Sequence, residues 1–151
     1  MHHAHSCLLR RGRISEPGRL YLLTTVTHQR TPLFLNLTNA RLVIHQMRQS
    51  DNEHASRSLA WVVMPDHVHW LMELGSVTLS TLMRRFKSRS SVMLHKAGVS
   101  QESVWQPGYQ DRALRRDEDV LNVARYIVAN PLRAGLAKSI REYPHWDAAW
   151  L

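Results

Sequence analysis

Cysteine is nearly absent from this chain: Cys7 is the single thiol among 151 residues. One cysteine cannot make an internal disulfide, and such usage suits a reducing cytoplasm. The longest apolar runs are about strand length, far short of a membrane span. Residues 1–11 lack the charged-then-apolar-then-small order of a secretory signal, so no export is expected. His2, His3, His5 and Cys7 are zinc donors by type, but no downstream cysteine or histidine completes a site. Internal repeats and low-complexity tracts are missing too. The length therefore fits one core: residues 1–18 as a basic lead-in carrying Arg10, Arg11 and Arg13, and 19–151 as a single domain.

Acidic residues are also few, 12 against 20 Lys and Arg, leaving a net charge of +8 and a pI near 10.5. Seventeen of the 20 basic residues are arginine. That preference suits bidentate contacts with phosphate better than a merely solvated lysine surface. A polyanionic partner is expected, nucleic acid first. The plainer reading is a basic surface without such a partner.

The chain is organised around residues 59–74, where two apolar runs flank Pro65-Asp66. That is the pattern of a β-hairpin with strands at 59–64 and 67–74. Strand alternation puts His67 and His69 on one face, with Val68 and Trp70 on the other. Two imidazoles side by side are a ready pair of metal ligands; the plainer alternative is a polar strand face that happens to carry histidines.

Around the hairpin, residues 19–27 are rich in β-branched and aromatic side chains and predict a first strand. Asn36 or Thr38 can cap a helix to about residue 50, and Ser76 or Thr78 a second over 79–96, closed by Gly98. On the second helix, Arg84, Arg85, Lys87 and Arg89 occupy the arc left by the apolar stripe. A short strand is expected around Val104-Trp105, followed by a Pro107-Gly108 turn and then Arg112 and Arg115. Asp117 is expected to cap a third helix over 118–130, ended by Pro131. The tail, with Tyr143, His145 and Trp146, should wrap the surface with its aromatics docked. This order predicts an α+β fold: a ferredoxin-like split βαβ antiparallel sheet with helices on one face, plus a C-terminal tyrosine-bearing helix.

Tyr126 and Asn130 are four residues apart and share a helix face. If that face meets His67 and His69, one site holds two imidazoles, an amide oxygen and a phenol. A divalent ion on His67, His69 and Asn130 would keep positions open for substrate oxygens. A tyrosine hydroxyl, with a pKa of about 10, is a poor nucleophile until its target is polarised. So polarised, a phosphodiester could be attacked by Tyr126, leaving a covalent 5′-phosphate ester that a 3′-hydroxyl can later reverse. Each residue has a plainer role: Tyr126 at a core edge, Asn130 as a helix terminator. Tyr109, in the loop after Pro107-Gly108, competes as nucleophile. Trp70, Trp105 and Tyr109 are candidate stacking platforms for splayed bases.

Met64-Pro65-Asp66-His67-Val68-His69 resembles the His-hydrophobic-His motif of single-tyrosine HUH transposases. The blocks 105–115 and 126–136 resemble those of one branch, the REP-associated tyrosine transposases, and the likeness runs from about Tyr21 to Trp146. The resemblance implies the HUH endonuclease fold. It implies a bacterial, cytoplasmic and nucleoid-associated enzyme that nicks and joins single-stranded DNA at hairpins of repetitive extragenic palindromes. Its Mg²⁺ or Mn²⁺ ligands would be His67, His69 and Asn130, and its nucleophile Tyr126, in a monomer or a homodimer. DNA-binding residues are expected at Arg10, Arg11, Arg13, Arg84, Arg85, Lys87, Arg89, Arg112 and Arg115. Two alternatives from other classes are a non-catalytic nucleic-acid-binding module and a metal-dependent hydrolase using activated water.

Overall fold

A computed structural model of the chain describes residues 15–115 and 118–149. Strand β1, Leu20–Val26, alternates strictly: Tyr21, Leu23 and Thr25 are buried, while Leu20, Leu22, Thr24 and Val26 are half-buried. The two sets point to opposite faces, so β1 separates two environments. Strands β2, Ser56–Met64, and β3, His67–Leu74, form the expected hairpin, turned by Pro65-Asp66. From Leu59 to Met64 every residue of β2 is buried, as its unbroken apolar run requires.

Helix α1, Leu37–Asn52, starts where the Asn36 side chain accepts from the Asn39 N–H; Thr78 does the same at Thr81 for α2, Leu79–Lys96. Gly98 ends α2 in the left-handed region, at φ 106°, that favours glycine. Both helices pack on the sheet face formed by Tyr21, Leu23, Trp61, Val63, Val68 and Trp70. Helix α3, Val120–Val128, covers the opposite face, placing Ala124, Ile127 and Val128 against Leu59, Ala60, Leu71, Leu114 and Ala148. With two further strands, β4, Gln110–Ala113, and β5, Trp146–Ala148, the strand order is β4-β1-β3-β2-β5, with every neighbouring pair antiparallel and β3 central. The first four strands follow the split βαβ order, so the expected fold class holds. Among the described residues, no helix is long and apolar enough to cross a membrane.

Three local expectations change. The strand placed around Val104-Trp105 is a single bridge from Trp105 to Thr27; β4 is Gln110–Ala113, after the Pro-Gly turn. Trp105 is drawn into the core instead. Its ring lies 5.6 Å from Phe34 and 5.7 Å from Phe86, and its indole N–H donates to Ser90 Oγ at 2.9 Å. The cap of α3 is Asp119, which accepts from the Asn122 N–H; Asp117 lies outside the described residues. That helix stops at Val128, and a four-residue turn, α4, Asn130–Arg133, follows with Pro131 where an early helical position tolerates it. The tail does dock its aromatics: the Tyr143 hydroxyl donates to the Val63 carbonyl at 2.5 Å, and the Trp146 indole to the Ile140 carbonyl at 2.6 Å. It also adds a fifth strand, β5, Trp146–Ala148, along β2. Thereby β2 ceases to be an edge.

Candidate active site

His67 and His69 project from β3 on the face shared with Val26 and Thr24, their register partners on β1. Their rings meet edge to face, with centroids 4.8 Å apart. The Nδ1 of each ring is engaged: His67 with Asp66 Oδ1 at 2.7 Å, and His69 with Thr24 Oγ1 at 2.9 Å. Where Nδ1–H donates to such an oxygen, Nε2 is the nitrogen left with a lone pair. This is how a protein orients histidine for a metal. Burial, with the charges of His67 and Arg133 adding to it, pushes the His69 pKa down to about 4. At neutral pH the ring is therefore uncharged, the form a metal requires.

Asp66 is itself held. Burial pulls its pKa up, but the His67 hydrogen bond and the Arg30 guanidinium at 3.2 Å outweigh it, so the carboxyl stays below its ordinary range. Arg30 reaches it from a tight turn in which Gln29 and Arg30 both take positive φ, 54° and 52°. Residues with a Cβ pay strain in that region, and such strain persists only where neighbours over-determine it. Here the hydroxyl of Thr27 donates to the Thr31 carbonyl at 2.8 Å, and that of Thr31 to the His28 carbonyl at 3.1 Å.

Between buried Ala124 and Ile127, Tyr126 stands 64% exposed on α3, so its phenol is accessible to a large substrate. The Arg133 guanidinium carbon lies 3.9 Å from the Tyr126 ring centroid, and Arg133 Nη2 donates to the Tyr126 carbonyl at 2.7 Å. Helix α3 packs on the sheet face that carries Leu20 and Leu22, and strand alternation puts Thr24 and Val26, the partners of His69 and His67, on that same face, so the tyrosine helix and the histidines share one side of the sheet. The Asn130 amide nitrogen donates to the Ile127 carbonyl at 2.9 Å, which fixes the side chain and leaves Oδ1 as an acceptor. Two imidazole nitrogens and one amide oxygen are donor types that suit a divalent cation with open positions. Among the described residues, no three of His, Cys, Asp and Glu cluster as a metal site.

Tyr109, the competing nucleophile, packs against the core on the α1 and α2 side, with the sheet between it and the histidines. Trp70 and Trp105 are 2% and 7% exposed, so neither is a stacking platform. Their size makes them core. Arg84 and Arg85 are exposed on α2. Lys87 instead donates to the Gln106 and Gly108 carbonyls, and Arg89 grips both oxygens of Glu53 at 2.7 and 2.9 Å. Arg112 pairs with Glu118 at 2.7 Å, and the Arg115 backbone N–H donates to the same carboxylate at 3.1 Å. Arg10, Arg11 and Arg13 lie outside the described residues.

Sequence reasoning missed Asp66, Thr24 and Arg133. The first is adjacent to His67 in the quoted motif, and Arg133 follows Tyr126 by two helical turns, so both left a signal. Thr24 left none, because only the β1–β3 register brings it to His69.

Comparison with known proteins gives a consistent picture. Residues 19–130 match the family described as transposase IS200-like. The REP-associated tyrosine transposase of Escherichia coli K12 is 25% identical over 138 residues, 87% of this chain and 79% of that protein. A solved structure of a REP-associated tyrosine transposase bound to a REP hairpin superposes with a TM-score of 0.74 at 25% identity, covering 89% of this chain and 79% of the other. A candidate transposase of Deinococcus radiodurans R1 shares the fold, with a TM-score of 0.57 at 19% identity over 87% of this chain and 94% of its own.

Proposed function

The chain belongs to the IS200-like transposase family and is an enzyme, and we propose that it cuts and rejoins single-stranded DNA at palindromic hairpins through a covalent 5′-phosphotyrosine on Tyr126. The observation that carries this reading is the pair of histidines with both Nδ1 atoms tied down, on the side of the sheet that bears an exposed tyrosine. The hairpin partner is argued from the likeness to a transposase solved with a REP hairpin.

His67 and His69 through Nε2, with Asn130 through Oδ1, would hold a divalent ion, Mg²⁺ or Mn²⁺; when bound it polarises the phosphodiester and offsets charge in the in-line transition state. The chain's own residues do the rest. Asp66 and Thr24 keep the two rings oriented. The α3 packing of Ile127 and Val128 sets the height of Tyr126 above the sheet. The Tyr126 oxygen forms a bond to phosphorus as the bond to the 3′ oxygen breaks. The phenol proton goes to water, and the leaving oxygen takes one up. Because the ester conserves the bond energy, a 3′-hydroxyl can reverse the step and join strands without a nucleotide cofactor.

The test is a labelled single-stranded hairpin incubated with Mn²⁺ and resolved under denaturing conditions. The native protein should yield a protein–DNA band, and Tyr126→Phe should abolish both band and cleavage. Cleavage that continues in Tyr126→Phe would replace this reading by hydrolysis through activated water. Salt-sensitive binding with neither band nor cleavage would mean a binding module.

A further inference from the structure

Arg133 stands out once the histidines and tyrosine are accounted for. Its guanidinium covers the Tyr126 ring at 3.9 Å and donates once, to the Tyr126 carbonyl. No carboxylate among the described residues pairs with it. Arg30, Arg57, Arg89 and Arg112 each have an acidic partner, and although several other surface arginines among the described residues have none, Arg133 is the one set on the Tyr126 ring. Arg133 is exposed, and it follows the helix that packs on the histidine side of the sheet. A guanidinium has five N–H donors in a planar fork that fits phosphate, and one accounted hydrogen bond leaves most of them open. An uncompensated cation beside the nucleophile, on the side of the metal-ligand pair, is where negative charge grows as phosphorus becomes five-coordinate.

We propose that Arg133 is a catalytic residue: its guanidinium binds a nonbridging oxygen of the scissile phosphodiester while its flat face steadies the Tyr126 ring. Tyr126 and the phosphate are then presented to each other by one side chain. No bond to Arg133 forms or breaks. It neutralises charge on an oxygen that stays on phosphorus while the Tyr126 ester forms and the 3′ oxygen departs. The inference rests on the tyrosine-transfer reading above.

The experiment compares native protein, Arg133→Ala and Arg133→Lys on two hairpin substrates with Mn²⁺. One carries the natural phosphodiester at the cleavage position; the other carries a methylphosphonate there, which removes the negative charge. On the phosphodiester, Arg133→Ala should lower the rate of covalent-band formation by roughly 10²–10³-fold, the loss typical of one charge-stabilising donor. Arg133→Lys should lose less. On the methylphosphonate, Arg133→Ala should recover most of that deficit relative to native protein. In chelator, with Tyr126→Phe as background, Arg133→Ala should weaken binding of the phosphodiester strand more than of its neutral analogue. Equal deficits on the two substrates would overturn the inference and leave Arg133 a structural prop. Because Arg133 is exposed, Arg133→Ala should melt like native protein; if it does not, the same substrate comparison with Arg133→Lys decides. Native protein that forms no band on the phosphodiester defeats the tyrosine-transfer reading itself, a separate result from a band that Arg133→Ala leaves undiminished.

Discussion

A histidine ring has two nitrogens, and what one touches decides what the other can do. In His69 the Thr24 hydroxyl takes Nδ1, burial keeps the ring neutral, and Nε2 is left for a ligand. That arrangement has a cost in acid. The folded-state pKa is about 4, against an ordinary value of 6.5, so between those values the unfolded chain binds a proton that the folded chain refuses. Stability should therefore be full above about pH 6.5 and fall as the pH drops toward 4. Asp66, shifted down, adds to this at the acid end: its contribution is present above its unfolded pKa and lost as the pH falls through the folded one. Urea midpoints in chelator from pH 7.5 to 4.5 should decline, and His69→Asn should flatten the decline in part. The remainder belongs to groups such as His145, which burial and then the Arg41 charge also push down. A midpoint indifferent to pH would contradict the burial of His69. The sequence showed the pair of rings but not what holds the second one, since Thr24 is 45 residues distant and meets His69 only through strand register.

At the scale of elements, the helix that carries Tyr126 is short. Its nine residues are held by one cap, Asp119, and by burial of Ala124, Ile127 and Val128. Helices of that length owe their stability to packing rather than propensity. Asp119→Ala should cost about 1 kcal/mol, typical for losing an N-cap, and the loss should stay local. Hydrogen exchange should show faster opening in α3 with β1–β3 unchanged, and covalent-band formation should slow with it. Uniform loosening across the sheet would contradict this view. The helical spacing of apolar residues made α3 visible in the sequence. Its cap was not, because several acids precede the first apolar residue and only backbone geometry selects Asp119. The short strand was misplaced for a different reason. Val104-Trp105 has the composition of a strand, but tryptophan volume was better accommodated between Phe34 and Phe86, so pairing with β1 resumes only after the Pro-Gly turn.

For the whole molecule, the sheet divides the chain into a face covered by α1 and α2 and a face bearing the histidines and the tyrosine helix. The four basic residues grouped on α2 are thereby placed on the far layer from His67 and His69, and they are not equivalent. Arg84 and Arg85 are exposed, whereas Lys87 and Arg89 bind carbonyls and Glu53. Substituting Arg84 and Arg85 together by Ala should reduce the salt dependence of DNA binding by about 0.7–0.9 per lost phosphate contact in the log–log slope, with the cleavage rate of bound DNA unchanged. Anisotropy titrations over a salt series measure the slope, and an unaltered slope would remove α2 from the DNA-binding surface. The amino-acid sequence by itself determined the element order and the split βαβ sheet, and it singled out His67, His69, Tyr126 and Asn130 as candidates, because periodicity and short motifs are local properties of a chain. Only the tertiary structure decided which tyrosine shares a side with the histidines, which arginines keep their charge uncompensated, and that the tail closes the β2 edge. Those outcomes depend on register and on competition among side chains for the same partners, and neither is written in any one stretch of residues.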